Sequence, residues 1–561
     1  MTDRLHLSKK HRQILETLLR EYFPGVEVWA YGSRVNGRSH DGSDLDLVLR
    51  GSELKEIPTG QLGDFEEALR ESTIPFLVEA RDWARLPEQF HREIEKGYVV
   101  LSDSTCCEHD TCQFGSLFAE PTRNGLTRPK SVRGVGIKMV NMGELFANDR
   151  LNIVPMDRVP LDPSREAHFL LHSGDLLFAR QSLVLQGAGK CSIFLSNDEP
   201  TTFESHVIRV RLDPSRADPL FYYYYWQSHD GRSAIRSIVE QGAGASGIRA
   251  SDLATLPVVV RPIAEQRAIA HILGTLDDKI ELNRRMNETL EAIARSIFKS
   301  WFVDFDPVRA KAENYPTGLP PEISDLFSSE LVESEIGEIP KGWEIVTLSS
   351  QLSFVLGGDW GKSEFSEETP NKCYCIRGAD IANLQSFETS EMPVRFLKES
   401  SFSKRQLKPW DVVFEISGGS PTQSTGRAVI ITPEIIQNYD LPLITSNFCR
   451  LLRFHSKESS LFHFMAFRNA YARDEYFQYE TGTTGIKNFG FKYFSEEVKY
   501  VIPLQELLST YADLVFFLYQ KSGISMYENI VLSSLRNTLI PKLMSGEVRL
   551  REVEKVMEAL V

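Results

Sequence analysis

Residues 262–305 read PIAEQRAIAHILGTLDDKIELNRRMNETLEAIARSIFKSWFVDF, broken after its opening proline only by Gly274. Apolar residues recur there at three-and-four spacing: Ile269, Leu273, Leu276, Ile280, then Leu290, Ala294, Ile297 and Trp301. That period predicts a long helix with a narrow apolar seam, the coiled-coil pattern. Asn283 and Asn287 interrupt the seam, as polar residues do where a helix pair must hold one register. About 40 residues rising roughly 1.5 Å each make a rod of roughly 60 Å, which needs a partner helix to cover its seam.

The partner comes with an internal repeat. Ile137-Lys138 before Asn141-Met142 returns as Ile376-Arg377 before Asp380-Ile381, and Ser173-Gly174-Asp175-Leu176-Leu177-Phe178 as Pro409-Trp410-Asp411-Val412-Val413-Phe414. Gly247-Ile248-Arg249 returns as Gly485-Ile486-Lys487, and Pro262 as Pro503. The offsets are 239, 236, 238 and 241 residues, so one unit is used twice. A period this long means two homologous domains rather than a solenoid. Each unit is strand-rich and ends in a long helix. The second helix, about 504–545, carries Leu514, Leu518, Ile524, Val531, Leu535 and Leu539 as its expected seam.

These residues resemble the DNA-specificity (S) subunits of Type I restriction-modification enzymes. The resemblance rests on Pro262-Ile263-Ala264-Glu265-Gln266, Leu276-Asp277-Asp278-Lys279-Ile280, Asn283, Asn287 and Trp301-Phe302-Val303-Asp304-Phe305. Pro340-Lys341-Gly342-Trp343 opens the second half, and Pro541-Lys542-Leu543-Met544-Ser545-Gly546-Glu547 closes it. It implies that each repeat is a target-recognition domain reading half of a split site in double-stranded DNA. It further implies an antiparallel helix pair that holds the two domains apart and docks two methyltransferase (M) subunits, with restriction (R) subunits completing the complex. S-adenosylmethionine and ATP would belong to those partners, and the specificity region itself would bind no cofactor and catalyse nothing.

Composition agrees with a large cytoplasmic protein. No apolar run reaches the 18 residues of a membrane span, and MTDRLHLSKKHRQ has no apolar signal region. Seven cysteines in 561 residues suggest no disulfide framework. Cys106, Cys107, Glu108, His109 and Cys112 are of metal-ligand type, but their spacing matches no standard zinc site and the segment reads as a linker. The net charge of −14 argues against a simple DNA-coating protein. Residues 110–260 hold sixteen basic and sixteen acidic side chains, so DNA contact must come from placed residues or from partners.

Residues 1–100 have a different character. A helix is expected over 5–23, strands over 26–31, 44–49 and 75–80, and a helix over 65–71. Gly32-Ser33 follows the first strand, and Asp44-x-Asp46 stands ten residues beyond it. Carboxylates at i and i+2 on a strand share a face. They offer the hard oxygen ligands that Mg²⁺ needs while it bridges nucleotide phosphates, and a Gly-Ser turn lets backbone N–H groups approach a triphosphate. This motif resembles the minimal nucleotidyltransferases of the DNA polymerase beta superfamily over about residues 10–101. The resemblance implies NMP transfer from an NTP, with Asp44, Asp46 and Glu79 as catalytic metal ligands, Gly32 and Ser33 on the nucleotide, and a toxin or other protein as target. The usual third carboxylate is Asp where this chain has Glu79. Two readings stay open, a working Mg²⁺- and NTP-dependent enzyme or a nucleotide-binding relic used for docking or sensing.

Three further stretches need weighing. Phe221-Tyr222-Tyr223-Tyr224-Tyr225-Trp226 could stack bases, but consecutive aromatics favour a buried element. Gln241-Gly242-Ala243-Gly244-Ala245-Ser246-Gly247 and Thr481-Gly482-Thr483-Thr484-Gly485 are polar and glycine-rich. Gly244, Ser246, Arg249, Thr483, Thr484 and Lys487 are therefore candidate DNA contacts, with a purely structural loop as the alternative. Gly357-Gly358-Asp359-Trp360-Gly361-Lys362-Ser363 imitates a P-loop but has Leu356 where the first glycine is required.

The expected fold is multidomain α+β. It comprises a nucleotidyltransferase-like α/β domain (1–105), a first mixed α/β recognition domain (106–262), a central helix (263–305), a linker (306–342), a second recognition domain (343–503) and a C-terminal helix (504–547). The expected function is a sequence-specific specificity subunit. The alternative is a nucleotidyltransferase, modifying a protein or RNA, that a DNA-binding module targets.

Overall fold

The computed structural model describes residues 5–23, 26–36, 39–40, 42–51, 56–102, 111–196, 198–242, 244–420, 422–482 and 486–548. Cys106, Cys107, Glu108, His109, Thr483 and Thr484 lie outside these. The chain divides into two units, one of residues 1–272 with 540–561 and one of residues 273–539. No helix among the described residues is long and apolar enough to cross a membrane.

The first unit opens with α1 (Lys9–Tyr22), β1 (Glu27–Tyr31), β2 (Leu45–Arg50), α2 (Thr59–Glu71), β3 (Val78–Asp82), α3 (Glu88–Glu95) and β4 (Tyr98–Ser102). Ser8 starts α1 by accepting the His11 N–H on its hydroxyl. The strands lie in the order β3-β2-β1-β4, with β2 and β3 parallel and the other neighbours antiparallel. Alternation along the strands separates two faces. Val28, Ala30, Leu45, Leu47 and Leu49 pack with Leu15, Leu19, Phe65 and Leu69 of the helices. The opposite face carries Trp29 and Val48, which pack on Trp83 and Ile94, and beside them a polar row. Two elements expected one residue or more early begin later: β2 starts at Leu45 rather than Asp44, and the third strand at Val78 rather than Pro75.

The two repeated domains share one strand plan. In the first, strand Leu176–Ala179 lies between Val207–Val210 and Cys191–Phe194; in the second, Val412–Glu415 lies between Cys449–Phe454 and Ala428–Ile430. A second sheet centres on Ile137–Val140 in one domain and on Asn371–Ile376 in the other. Each is parallel to a later strand, Thr201–Phe203 or Leu443–Thr445, and antiparallel to an intervening one. A third sheet of three short strands contains a hairpin, Glu240–Gln241 with Ser246–Gly247, or Glu480–Thr481 with Lys487–Phe489.

The repeated Asp is a shared anchor. Asp175 and Asp411 are each 1 % exposed. Asp175 accepts two bonds of 2.7 Å from the Arg211 guanidinium, and Asp411 accepts bonds of 2.7 and 2.6 Å from Arg453. Each also accepts a backbone N–H three residues upstream, from His172 or Lys408. The turn before each Asp has positive φ, at Gly174 (95°) and Trp410 (72°).

The aromatic run is core. Asp218 caps helix Pro219–Gln227 through the Phe221 N–H, and all six aromatics from Phe221 to Trp226 are buried. Six large rings leave no polar face on a helix of 9 residues, so it is covered on every side. The P-loop mimic continues after strand Leu352–Gly357 without a helix. A Cβ at Gly358 would lie 2.0 Å from the Ser446 carbonyl oxygen, so this glycine serves close packing.

The central helix spans Ile263–Phe302 and the C-terminal helix Gln505–Ser545. Within the second unit they run antiparallel: Arg536 bonds Asp277, Asn283 donates to Glu528 and Asn529, Tyr519 donates to Glu291, and Tyr511 to the Ala294 carbonyl. Asn283 thus sets register as expected. Asn287 is equally buried, but neither of its amide atoms has a partner among the described residues. The seam of the C-terminal helix differs from the expected one. Leu507, Leu508, Tyr511, Ala512, Val515 and Tyr519 are buried, whereas Leu514, Ile524 and Val531 are 39, 55 and 45 % exposed. The helix has apolar residues on two faces, and spacing does not tell which of them packs inward.

Candidate functional site

The N-terminal polar row is built by strand register. Tyr31 on β1, Asp46 on β2 and Glu79 on β3 are direct neighbours across three strands. Asp44 is exposed and precedes β2. Gly32 follows β1 with φ +83°, and a Cβ there would lie 2.4 Å from Asp46 Oδ2. The glycine is required both by its backbone and by the space the carboxylate occupies. Its carbonyl accepts the Val35 and Asn36 N–H groups, so Ser33 lies in a tight helical turn directly beside Asp46's strand. Buried Arg34 pins this turn, donating to the Ser43 and His6 carbonyls and covering the Phe76 ring at 3.7 Å.

Partial burial and then the facing Glu79 and Asp44 carboxylates push the Asp46 carboxyl above its ordinary range, against the attraction of Arg81. Burial likewise raises the Tyr31 hydroxyl. Arg81 is the only local cation to answer this charge among the described residues of β3, donating to Glu79 at 2.9 Å. That bond turns Glu79 toward the guanidinium. Among the described residues no three Asp, Glu, His or Cys side chains converge as ligands for one ion. The structure therefore brings Gly32, Ser33, Asp46 and Glu79 together, sets Asp44 at the mouth of β2, and leaves the three carboxylates short of a closed ligand set. Arg81 and Tyr31 were not singled out from sequence; their i and i+2 positions on strands of the same face were the available signal.

The candidate DNA residues fall on the hairpin sheets. Gly244 is exposed at the hairpin tip, but Ser246 is buried in its returning strand, paired with Ser182 and Gln241. Arg249 donates to Glu240 at 2.7 Å and keeps 66 % of its side chain exposed. Lys487 donates to Glu480, also at 2.7 Å, and is largely covered, with its ammonium over the Phe477 ring. Glu480 in turn accepts the Thr425 N–H and hydroxyl. Each hairpin thus carries a cation–carboxylate pair, but not at equivalent positions: strand pairing makes Ser246, not Arg249, the counterpart of Lys487, three residues off the sequence alignment of Gly247-Ile248-Arg249 with Gly485-Ile486-Lys487.

Residues 136–292 match the family described as Type I restriction modification DNA specificity domain. The specificity subunit of the HindI Type I restriction enzyme of Haemophilus influenzae is 24% identical over 468 residues, covering 73% of this chain and 94% of that protein. The chain belongs to the Type I specificity-subunit family, with a nucleotidyltransferase-like domain fused in front. The specificity subunit of EcoKI from Escherichia coli is 28% identical to this specificity subunit over 200 residues, 33% of the chain and 41% of the relative. A crystal structure of an S subunit from M. genitalium covers 77% of the chain and 95% of its own, with 17% identity and a TM-score of 0.43. The fused domain matches, over residues 2–99, the family described as Poly(A) RNA polymerase, mitochondrial-like, central palm domain. It is 37% identical over 101 residues to a probable protein adenylyltransferase, MntA, of Haemophilus influenzae, covering 18% of the specificity subunit and 85% of that relative.

Proposed function

We propose that this specificity subunit reads a bipartite DNA site, one half per repeated domain, and docks methyltransferase subunits on its helices. The observation that carries the reading is the duplicated domain: two copies of one strand plan, each with its buried Asp–Arg anchor, joined to long helices. Two copies of one domain recognise two short sequences, and the helices set the distance between them. The helices also present apolar surface. Leu514, Phe517, Ile524, Tyr527 and Val531 on one, and Leu282, Met286 and Ile293 on the other, are each 39–61 % exposed. A stripe of this extent on a charged protein marks a protein interface.

Exchange of residues 343–503 for the second domain of another specificity subunit tests the reading. The methylated sequence should change in one half and stay the same in the other; methylome sequencing that finds both halves altered refutes independent reading. The helices supply a second test. Four residues inserted after Ile280 and four after Ser533 fall between the Asp277–Arg536 and Asn283–Asn529 contacts, so both contacts survive. The added turn, about 6 Å, should widen the accepted gap by about one or two base pairs. A methylating complex with an unchanged gap removes the ruler role.

A second activity is favoured by the Gly32–Asp46 cradle. In this reading the N-terminal domain transfers a nucleoside monophosphate from an NTP to a protein hydroxyl, whose oxygen bonds the α-phosphorus as the bond to the β-phosphate breaks and pyrophosphate leaves. Asp44 and Asp46 would hold Mg²⁺, and Glu79 would join them once released from Arg81; the ion supplies charge neutralisation on the phosphates. Gly32 leaves room at the Asp46 carboxylate, and the N–H groups of the turn that begins at Ser33 would face phosphate oxygens. Partial burial first, and the facing Glu79 and Asp44 carboxylates second, raise the Asp46 carboxyl; a bound cation would relieve the second of these.

A further inference from the structure

The two repeated domains differ at one loop where their frameworks coincide. Arg180 donates its backbone N–H to the His206 carbonyl, and its own carbonyl accepts the Ile248 N–H. In the second domain, Ile416 makes the same pair of bonds, to the Phe448 carbonyl and from the Phe489 N–H. Position 180 of one domain is therefore position 416 of the other, a cation in one and an aliphatic side chain in the other. Each residue leads into the outer strand of the three-stranded hairpin sheet, Gln181–Ser182 or Ser417–Gly418.

The loop that follows also differs in kind. In the first domain it exposes three consecutive aliphatic residues, Leu183 (89 %), Val184 (59 %) and Leu185 (44 %). They are held by an ordered turn. Ser182 Oγ accepts the Val184 N–H, the Val184 carbonyl accepts the Gly187 N–H, and a Cβ at Gly187 would lie 2.2 Å from Ser182 Oγ. In the second domain the corresponding loop carries Ser420, Thr422 and Gln423. An ordered loop with no surface duty would not keep three aliphatic side chains in water. Among the described residues no carboxylate pairs with the partly exposed Arg180 side chain, whereas Arg249, next to Arg180's backbone partner Ile248, is paired with Glu240. A free guanidinium beside an apolar tip, on the sheet that carries the glycine-rich hairpin, matches the major-groove edge of DNA. Guanine offers O6 and N7 to a bidentate Arg, and thymine offers its methyl group to an apolar side chain.

We propose that the loop from Arg180 to Leu185 is a base-reading element of the first domain, with Arg180 on a guanine and Leu183 and Val184 on neighbouring thymine methyls. Ile416 and the polar loop after it read a different base chemistry in the second half-site. The inference rests on the specificity reading above. The test is methylome sequencing and DNA binding with the full chain assembled with its methyltransferase subunits. Arg180→Ala and Arg180→Lys should both relax one position of one half-site, by roughly tenfold to a hundredfold in discrimination, and leave the other half unchanged. Arg180→Lys keeps the charge, so an effect shared by both variants is loss of the bidentate contact rather than of phosphate attraction. Leu183→Asn with Val184→Asn, both at exposed positions, should relax an adjacent position without changing the salt dependence of binding. Variants that keep the wild-type motif, or that weaken binding to all sequences equally with a shallower salt slope, overturn the base-reading role and leave the specificity reading standing. A wild-type complex that marks no split sequence overturns both.

Discussion

Asp411→Ala should lower the stability of the second recognition domain by about 3 kcal/mol, which for a body of this size is roughly 6–12 °C in Tm. Asp411 is 1 % exposed and bridges two strands through Arg453, while holding the Lys408 N–H across a turn with a left-handed Trp410. Its removal strands a partly covered guanidinium, a backbone donor and a strained turn together. Asp411→Asn keeps an acceptor for Lys408 and should cost less, about 1–2 kcal/mol. The equivalent Asp175→Ala should be milder than Asp411→Ala, because Arg211 also bonds Glu120 at 2.5 Å and keeps a carboxylate. Thermal unfolding of the full chain, read against wild type, checks the ranking; an Asp411→Ala shift of under about 2 °C shows that the pair is not an anchor.

Asp44→Ala combined with Asp46→Ala should abolish nucleotide transfer by the N-terminal domain and leave DNA methylation intact. The carboxylates stand on a sheet with its own core of Leu15, Leu47, Phe65 and their neighbours, separate from those of the recognition domains. Labelled NTP with millimolar Mg²⁺ should mark a protein acceptor in the wild type and nothing in the double variant. Glu79→Asp should preserve or raise transfer, since a shorter side chain moves the carboxylate back toward Asp46 and away from Arg81, which now holds it at 2.9 Å. Calorimetry that detects no NTP binding at millimolar Mg²⁺ excludes the transferase reading and leaves a docking role.

Much of this architecture is legible in the sequence. The 3.5-residue seam marked the central helix, and the repeated Asp175 and Asp411 segments marked the duplication, because both are local patterns that a fold can use in few ways. The aromatic run was read as core for the same reason: six adjacent rings cannot all face water. The Gly32–Asp46 motif marked Asp46 as a polar strand residue beside a glycine turn, although Asp44 lies just ahead of the strand and not in its alternation.

What the sequence could not determine is which of several equivalent patterns is used. The C-terminal helix has two apolar stripes, and only packing decides that Tyr511, Val515 and Tyr519 turn inward while Leu514, Ile524 and Val531 face out. The anchors join residues 36 and 42 apart, Asp175 with Arg211 and Asp411 with Arg453, and strand pairing alone brings them together. Glu79 is of ligand type in the sequence, and the structure shows its carboxylate paired with Arg81, two residues along the same strand. Arg180 and Ile416 share no chemistry; the 236-residue offset of the Asp175 and Asp411 segments aligns them, but only the structure shows that both lead into the outer strand of a hairpin sheet. Local periodicity fixes what an element is; the competition among charges and apolar faces for a limited interior fixes what it does.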